Sequence, residues 1–209
     1  MALDPAALEL YVYLPHRDLT LRDAAPCRAD PPAVGRVAEQ YTHRRASRYD
    51  GETSSALVAR CSGILIYALD AYGLTYEEVC GVAHREVADI LAQITPDNRM
   101  TEPTRHLKLR EALGRASETA QLVKLAEITS FARKVHAELL PDDYLRHAAP
   151  LKFVVDRHLQ LLLALSRLVG SGTMGAAVEA AQESLGRIVH GIDEARAARA
   201  AARAAATRP

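Results

Sequence analysis

Segment 122–134 has the pattern of a helix and carries an acidic side chain placed where it could do chemistry. Lys124 precedes Glu127 by three residues and Ser130 follows it by three, so each of them is a neighbour of Glu127 on the helix surface. An apolar stripe runs beside them, formed by Leu122, Leu125, Ile128, Ala132 and Val135. An acid at the margin of such a stripe is either half of a surface salt bridge or a carboxylate directed into a cleft. The pattern alone favours the salt bridge of Glu127 with Lys124.

Two other patterns in the sequence could in principle carry chemistry. Segment 170–175 matches G-x-G-x-x-G, but the dinucleotide-binding form of that motif needs a strand before its first glycine, and here a leucine-rich helix precedes it. We interpret it as an interhelical turn. None of the eight histidines lies three or four residues from another, the spacing that puts two ligands on one helical face. The sequence therefore predicts neither a metal site nor a cofactor.

The elements that must position these residues are almost all helical. Gly73 is suited to ending a helix, and Thr75-Tyr-Glu-Glu78 has the form of a capping box that begins the next one. Apolar residues recur at helical spacing in segments 33–48, 54–72, 76–94, 102–113, 117–140, 152–169 and from 173 onward. We expect an all-α fold of about eight helices. It divides into an irregular N-terminal arm around a short helix (1–32), a helical domain (33–194) and an Ala/Arg-rich C-terminal tail (195–209).

Composition excludes several classes of function. The 209 residues carry 26 Lys and Arg against 26 Asp and Glu, and this neutral balance argues against a nucleic-acid-binding protein. The N-terminus lacks the pattern of a signal peptide, and the most apolar stretch, 159–169, is about half the length that spans a bilayer. Three widely spaced cysteines without a C-x-x-C motif indicate no disulfide framework. We expect a cytoplasmic protein that does not bind membranes.

Several segments, in order and at matching spacing, resemble the RelA/SpoT-type alarmone hydrolases, including the small stand-alone ones. Segment 122–127, L-V-K-L-A-E, is similar to the L-V-K-L-A-D motif of that family. Segment 75–97 resembles its T-L-x-E-V … V-T-D-D stretch, 105–120 its E-R-K … S-P-E-A run, and 41–51 its opening H-R … R-K-D … G. The resemblance covers roughly residues 35–139, about half the chain, and implies an all-α HD-domain fold with a C-terminal helical extension.

The departures from the family fall on its chemistry. The family hydrolyses (p)ppGpp with Mn²⁺ held by a histidine in N-H-P, a His-Asp pair and the aspartate of L-A-D. In this chain the His-Asp pair aligns with Ile66-Tyr67, the following acidic pair with Asp70-Ala71, and the last ligand with Glu127. Isoleucine and tyrosine do not replace an imidazole and a carboxylate as ligands of such an ion. The resemblance therefore predicts a degenerate metal site and a lost hydrolase reaction.

The same alignment names the candidate site. Glu127, Asp70 and Tyr67 are the candidate catalytic residues around the former metal position. The resemblance also implies ligand contacts, because Arg48 matches an arginine that stacks on guanine in the family. The expected ligand-binding residues are Arg48, Lys124 and Arg133.

Three functions follow as alternatives. The first is a divergent pseudoenzyme that binds a small molecule, such as a guanosine nucleotide, without hydrolysing it. The second is a metal-independent enzyme in which a raised pKa lets Glu127 act as general acid or base, helped by Asp70 or Tyr67. The third is a non-catalytic interaction protein whose last helix and tail mediate homo-oligomerisation or partner docking.

Overall fold

A computed structural model describes residues 3–18, 28–46, 53–139, 141–166 and 173–206. In these ranges the chain forms helices joined by short connections, and no strand is found. The helices are α1 (Pro5–Asp18), α2 (Pro31–Ala46), α3 (Thr53–Ile64), α4 (Tyr76–Val82), α5 (Arg85–Ile94), α6 (Glu102–Leu113), α7 (Glu118–Glu138), α8 (Pro141–Arg146), α9 (Ala148–Ser166) and α10 (Thr173–Ala206). The all-α prediction is confirmed.

The capping box at Thr75 is confirmed, but the helix that it begins is shorter than expected. The Glu78 backbone N–H donates to the Thr75 hydroxyl at 3.2 Å, and the Thr75 N–H donates to the Glu78 carboxylate at 2.7 Å. The predicted helix 76–94 is two helices, α4 and α5, because the chain turns at Ala83 and His84 accepts a hydrogen bond from the Glu86 N–H as a new N-cap.

The predicted helix 54–72 is also too long. α3 ends at Ile64, and residues 65–71 continue as turns in which hydrogen bonds such as Ala68 N–H to Leu65 O span three residues. Every residue from Cys61 to Ala68 is buried. The turn segment ends near Gly73, which has the positive φ of 68° expected of a helix-stop glycine.

The N-terminal end of the chain is more helical than the predicted arm suggests, and the last helix runs through most of the predicted tail, in line with the expected C-terminal helical extension. α1 has 14 residues, and its Leu8 and Val12 are buried in the hydrophobic core. At the other end, α10 continues through Ala206, with its side chains exposed from Arg196 onward. The arm, domain and tail boundaries themselves remain a prediction.

Helix α7 is the central element of the fold. It packs against α2, α3, α5, α9 and α10. Every residue from Ala120 to Ala132 is buried, although the sequence shows an apolar stripe on only one face. A helix enclosed on all sides has no margin at which a polar side chain could meet solvent, so Lys124 and Glu127 are carried into the interior.

Helices α2 and α3 approach closely where two glycines face each other. A Cβ atom added at Gly63 would lie 2.6 Å from the Gly35 Cα and 2.7 Å from the Gly35 nitrogen. Because these are backbone atoms, they cannot move aside as the end of a flexible side chain would. The contact between α2 and α3 therefore requires glycine at position 63.

We predict that Gly63→Ala lowers the free energy of unfolding by about 2 kcal/mol or more, because the added methyl group forces the helices apart. Gly186→Ala is the matched control: it lies within α10, and its Cβ would meet nothing within 4 Å. There the same substitution should raise stability by roughly 0.5–1 kcal/mol. Urea denaturation measures both, and an unchanged midpoint for Gly63→Ala would show that the helices do not pack this closely.

Candidate functional site

Lys124 and Glu127 form an ion pair inside the protein. The Lys124 Nζ lies 2.5 Å from the Glu127 Oε2, and each residue is only 7% exposed. The surface salt bridge favoured by the sequence is therefore wrong in its location, because all faces of α7 are covered in this region. Inside a protein such a pair must compensate for the loss of hydration of both charges.

Tyr67 completes a polar cluster around this pair. Its hydroxyl accepts a hydrogen bond from the Ala29 N–H at 2.9 Å and donates one to Glu127. Burial raises the pKa of Tyr67 well above its usual value, and the Glu127 charge raises it further. Tyr67 is therefore a protonated donor that holds the carboxylate in place.

Glu127 is not the proton donor that one of the hypotheses requires. Burial alone would raise the pKa of its carboxyl, but the Lys124 ammonium, the His158 ring and the hydrogen bonds from Lys124 and Tyr67 outweigh burial. The resulting pKa lies below the usual value of 4.5, so the predicted raised pKa is wrong. Glu127 is an ionised partner of Lys124.

Asp70 is the acid whose pKa is raised. Burial raises the pKa of this carboxyl above its usual 3.8, and the nearby Arg28 opposes the rise. Its Oδ1 is buried and has no hydrogen-bond partner in the part of the chain that the structure describes. The backbone oxygen of Asp70 accepts a hydrogen bond from the Asn98 amide at 3.0 Å, which fixes this turn beside the loop before α6.

A cleft of about 420 Å³ opens above the cluster. α6, α7, α9 and the turn that carries Asp70 contribute to its walls. The charged residues that line it are Arg28, Asp70, Glu102, Arg105, Lys124 and Arg157, and the apolar ones include Leu109, Val154 and Leu161. Four cations thus face two carboxylates, and Glu102 is already ion-paired with Arg157 across α6 and α9. The cleft is suited to an anion.

His158 lies at the inner end of the cleft and was missed as a site residue by sequence reasoning, which considered the histidines only as pairs of metal ligands on one helical face. It is 9% exposed and packs on Phe131, with ring centroids 4.8 Å apart. Burial lowers the pKa of His158 to about 4, so the ring is neutral at pH 7. Its Nδ1 is buried without a hydrogen-bond partner among the residues described.

A second histidine, His106, helps to close the cleft. Its Nε2 lies 3.0 Å from the Gln160 Oε1, so the hydrogen bond ties α6 to α9. The Arg157 guanidinium stacks over the Phe153 ring at 4.3 Å. These contacts, with the Arg157–Glu102 ion pair, hold Arg157 at the mouth of the cleft. No motif marks these residues in the sequence, because the partners are far apart in the chain: His106 and Gln160 are separated by 54 positions and Glu102 and Arg157 by 55.

The predicted site residues divide into three groups. Asp70 and Lys124 line the cleft, and Tyr67 and Glu127 lie beneath it. Arg133 is exposed on α7 and does not line the cleft. Arg48 lies outside the described residues. Their predicted roles in catalysis and ligand binding stay predictions.

The residues around Glu127 and Tyr67, which the sequence resemblance aligns with metal ligands, do not fit a divalent cation. Among the described residues no group of three His, Cys, Asp or Glu side chains could hold a metal ion. Glu127 is already neutralised by the ammonium of Lys124, and the neighbouring position is occupied by the phenol of Tyr67. A protonated phenol is not an anionic ligand, so Tyr67 adds no negative charge that would hold such an ion.

One solved structure resembles this chain at the level of the fold. It is described as a metazoan ortholog of SpoT that hydrolyzes ppGpp and plays a role in starvation responses. The two share 15% sequence identity with a TM-score of 0.56, over 90% of this chain and 96% of the other. The chain thus has an HD-domain-like all-α fold, as the sequence resemblance implies. No sequence model of a protein family matches it, and no curated protein does.

Among the helices that the structure describes, none is long and apolar enough to cross a bilayer.

We predict that Lys124→Met lowers the free energy of unfolding by about 3 kcal/mol or more, because it leaves the Glu127 charge buried without a partner. The matched control is Lys108→Met, which removes the exposed Lys108–Glu111 pair. That pair has the same i,i+3 spacing as Lys124–Glu127, and its two charged atoms lie 2.9 Å apart. That change should cost less than about 1 kcal/mol.

A double-mutant cycle measures the coupling directly. Lys124→Met/Glu127→Gln removes both charges and should regain part of the stability that Lys124→Met loses. Equal losses for the Lys124 and Lys108 variants in urea denaturation would contradict a buried pair.

We predict that His158 makes stability fall as pH drops from about 6.5 to 4. The pKa of the His158 ring is 6.5 in the unfolded chain and about 4 in the folded protein. In this window the ring therefore binds a proton in the unfolded chain but not in the folded protein. The loss amounts to about 3 kcal/mol at pH 4. The lowered pKa of Glu127 adds to it below pH 4.5, whereas the raised pKa of Asp70 opposes it.

His158→Leu keeps Glu127 and Asp70, so it isolates the histidine. Its unfolding free energy should vary less with pH between 6.5 and 4 than that of the unsubstituted protein. His43→Gln, at an exposed histidine on α2, should keep the full dependence. Identical pH profiles for His158→Leu and the unsubstituted protein would show that the ring is not held neutral by burial.

Proposed function

We propose that this protein is a divergent relative of the (p)ppGpp hydrolases that binds a phosphorylated guanosine nucleotide in the cleft without metal-dependent hydrolysis. The observation that carries the proposal is the Lys124–Glu127 ion pair beneath a cleft with an excess of cations. The sequence resemblance and the fold shared with a ppGpp-hydrolysing protein support the choice of ligand.

The charges of the cleft favour phosphate groups. Arg28, Arg105 and Arg157 place guanidinium groups around the opening, and each can donate two parallel hydrogen bonds to one phosphate. Arg105 donates to the Asn98 side chain at 3.3 Å, an exposed contact that a phosphate can replace. Lys124 adds a cation at the floor that does not depend on a bound ion.

The shape and the apolar lining suit the rest of a nucleotide. A volume of about 420 Å³ lies within the range of small-molecule sites, roughly 300–1,000 Å³. Leu109, Val154 and Leu161 supply an apolar wall for a base or sugar. The unpartnered Asp70 Oδ1 and His158 Nδ1 can hydrogen-bond polar groups of the ligand at the inner end.

In this proposal the Lys124 ammonium takes the place that a metal cation has in the family, and it donates a hydrogen bond to a phosphate oxygen while it stays paired with Glu127. It cannot lower the pKa of a bound water as a metal does, so the activated nucleophile is missing. The alternative in which Glu127 acts as general acid loses its basis, because that carboxyl has a lowered pKa and is paired. We therefore propose binding rather than turnover.

The test is a calorimetric titration with ppGpp, once in Mn²⁺ buffer and once with EDTA, followed by assay of the cell contents for GDP and pyrophosphate. We expect the same saturable binding in both buffers and no products. Arg105→Gln should weaken binding about tenfold, because one charged hydrogen-bonding group is lost. Arg115→Gln, at an exposed arginine just beyond α6, is the matched control and should bind normally.

Release of GDP and pyrophosphate would show an active hydrolase and overturn the proposal. Binding that disappears with EDTA would show a metal requirement and overturn it as well. Absence of binding in both buffers would mean that the cleft serves another ligand.

A further inference from the structure

A second groove lies at the N-terminal end of α9, before the residues of that helix that line the cleft. It has a volume of about 600 Å³ and lies between α8, the start of α9 and the last turns of α10. Four of its lining residues are arginines: Arg146, Arg196, Arg199 and Arg203. None of the described residues that line it is acidic.

The arginines of α10 are aligned by the helix itself. Arg196, Arg199 and Arg203 are three and four residues apart, so they share one face. At 1.5 Å per residue they form a row about 10 Å long. Like charges at this spacing repel each other, and α10 has no acidic residue beyond Glu194 to offset them.

The first turn of α9 adds to the positive character. Ala148, Ala149 and Pro150 line the groove, and a helix N-terminus carries a partial positive charge and N–H groups without intrahelical acceptors. The groove therefore combines a row of guanidinium groups with a helix N-terminus. Both features favour phosphate oxygens.

The existing contacts of the arginines leave room for a ligand. Arg196 lies 3.9 Å from Asp193, and both side chains are more than half exposed, so this pair contributes little and can open. Arg146 and Arg203 each take part in a further interaction of the fold. Arg196 and Arg199 are therefore the residues whose substitution tests the groove most cleanly.

We propose that this groove is a second anion site, which binds a chain of two or more linked phosphates. A row about 10 Å long matches several adjacent phosphates better than a single one, and the volume is that of a small-molecule site. The neutral net charge of the chain and the shortness of the row argue against a nucleic-acid strand, which needs many phosphate contacts. The inference does not depend on what the cleft binds.

The test is a titration with inorganic triphosphate followed by the backbone amide shifts of the full-length protein. We expect saturable shifts at Ala148, Ala149 and Arg199. Arg196→Gln/Arg199→Gln should weaken this binding about tenfold, whereas Arg187→Gln, an exposed arginine of α10 outside the groove, should leave it within about twofold. GTP should produce the same groove shifts and guanosine none, because the linked phosphates are what is recognised.

Unsaturable shifts, or equal affinity for the double variant, would overturn the proposal. Tighter binding of a short oligothymidylate than of triphosphate at physiological salt would overturn the choice of a small ligand. The cleft variant Arg105→Gln should keep the groove shifts, so failure at one site is distinguishable from failure at the other.

Discussion

The ion pair between Lys124 and Glu127 constrains the rest of the structure. Two charges that are 93% buried must be held by neighbours that compensate for lost water, and this requirement explains the conformation around them. Tyr67 can donate to Glu127 because the chain leaves the helical path after Ile64, and Ala29 holds the same phenol from the other side. The pair also fixes one positive charge at the floor of the cleft, with its negative partner directed inward.

This arrangement changes how an inherited cleft can work. In a metal-dependent site the carboxylates are the permanent groups and the cation arrives with its bound water. Here the cation is part of the chain, and its carboxylate is already occupied. Under the proposal, Arg28, Arg105 and Arg157 attract phosphate, and the cleft holds no metal ion that would activate water. In this proposal the side chains that bind phosphate are present, whereas the metal ligands that would support its hydrolysis are not.

The sequence predicted the helices well where local signals decide them. The Thr75 capping box and the bounds of α6 follow from residues close in the chain, and the order of motifs led to the HD-domain fold. It failed where tertiary enclosure decides the outcome. One apolar stripe on α7 gave no sign that the opposite face is buried too, so Glu127 was placed at a surface. The turns after Ile64 depend on the same enclosure.

The site was predictable only in the segment that carries the resemblance. Asp70 and Lys124 were identified because they lie in aligned motifs, whereas His158, Arg105 and Arg157 meet in the cleft only through the packing of α6 on α9. Arg133 was also identified from the resemblance, but its side chain is exposed on α7 and does not line the cleft. Helical spacing could have revealed this, because Arg133 lies six residues after Glu127, and two positions six residues apart do not share a helical face.

The central claim is that Lys124 takes the place of a metal cation beneath a bound phosphate. The most direct measurement is the anomalous scattering of manganese in crystals grown with Mn²⁺ and ppGpp. The account predicts intact ligand in the cleft, the Lys124 ammonium within hydrogen-bonding distance of a phosphate oxygen, and no manganese peak at Glu127 or Asp70. A manganese ion coordinated by Glu127, with Lys124 displaced from the carboxylate, would contradict it.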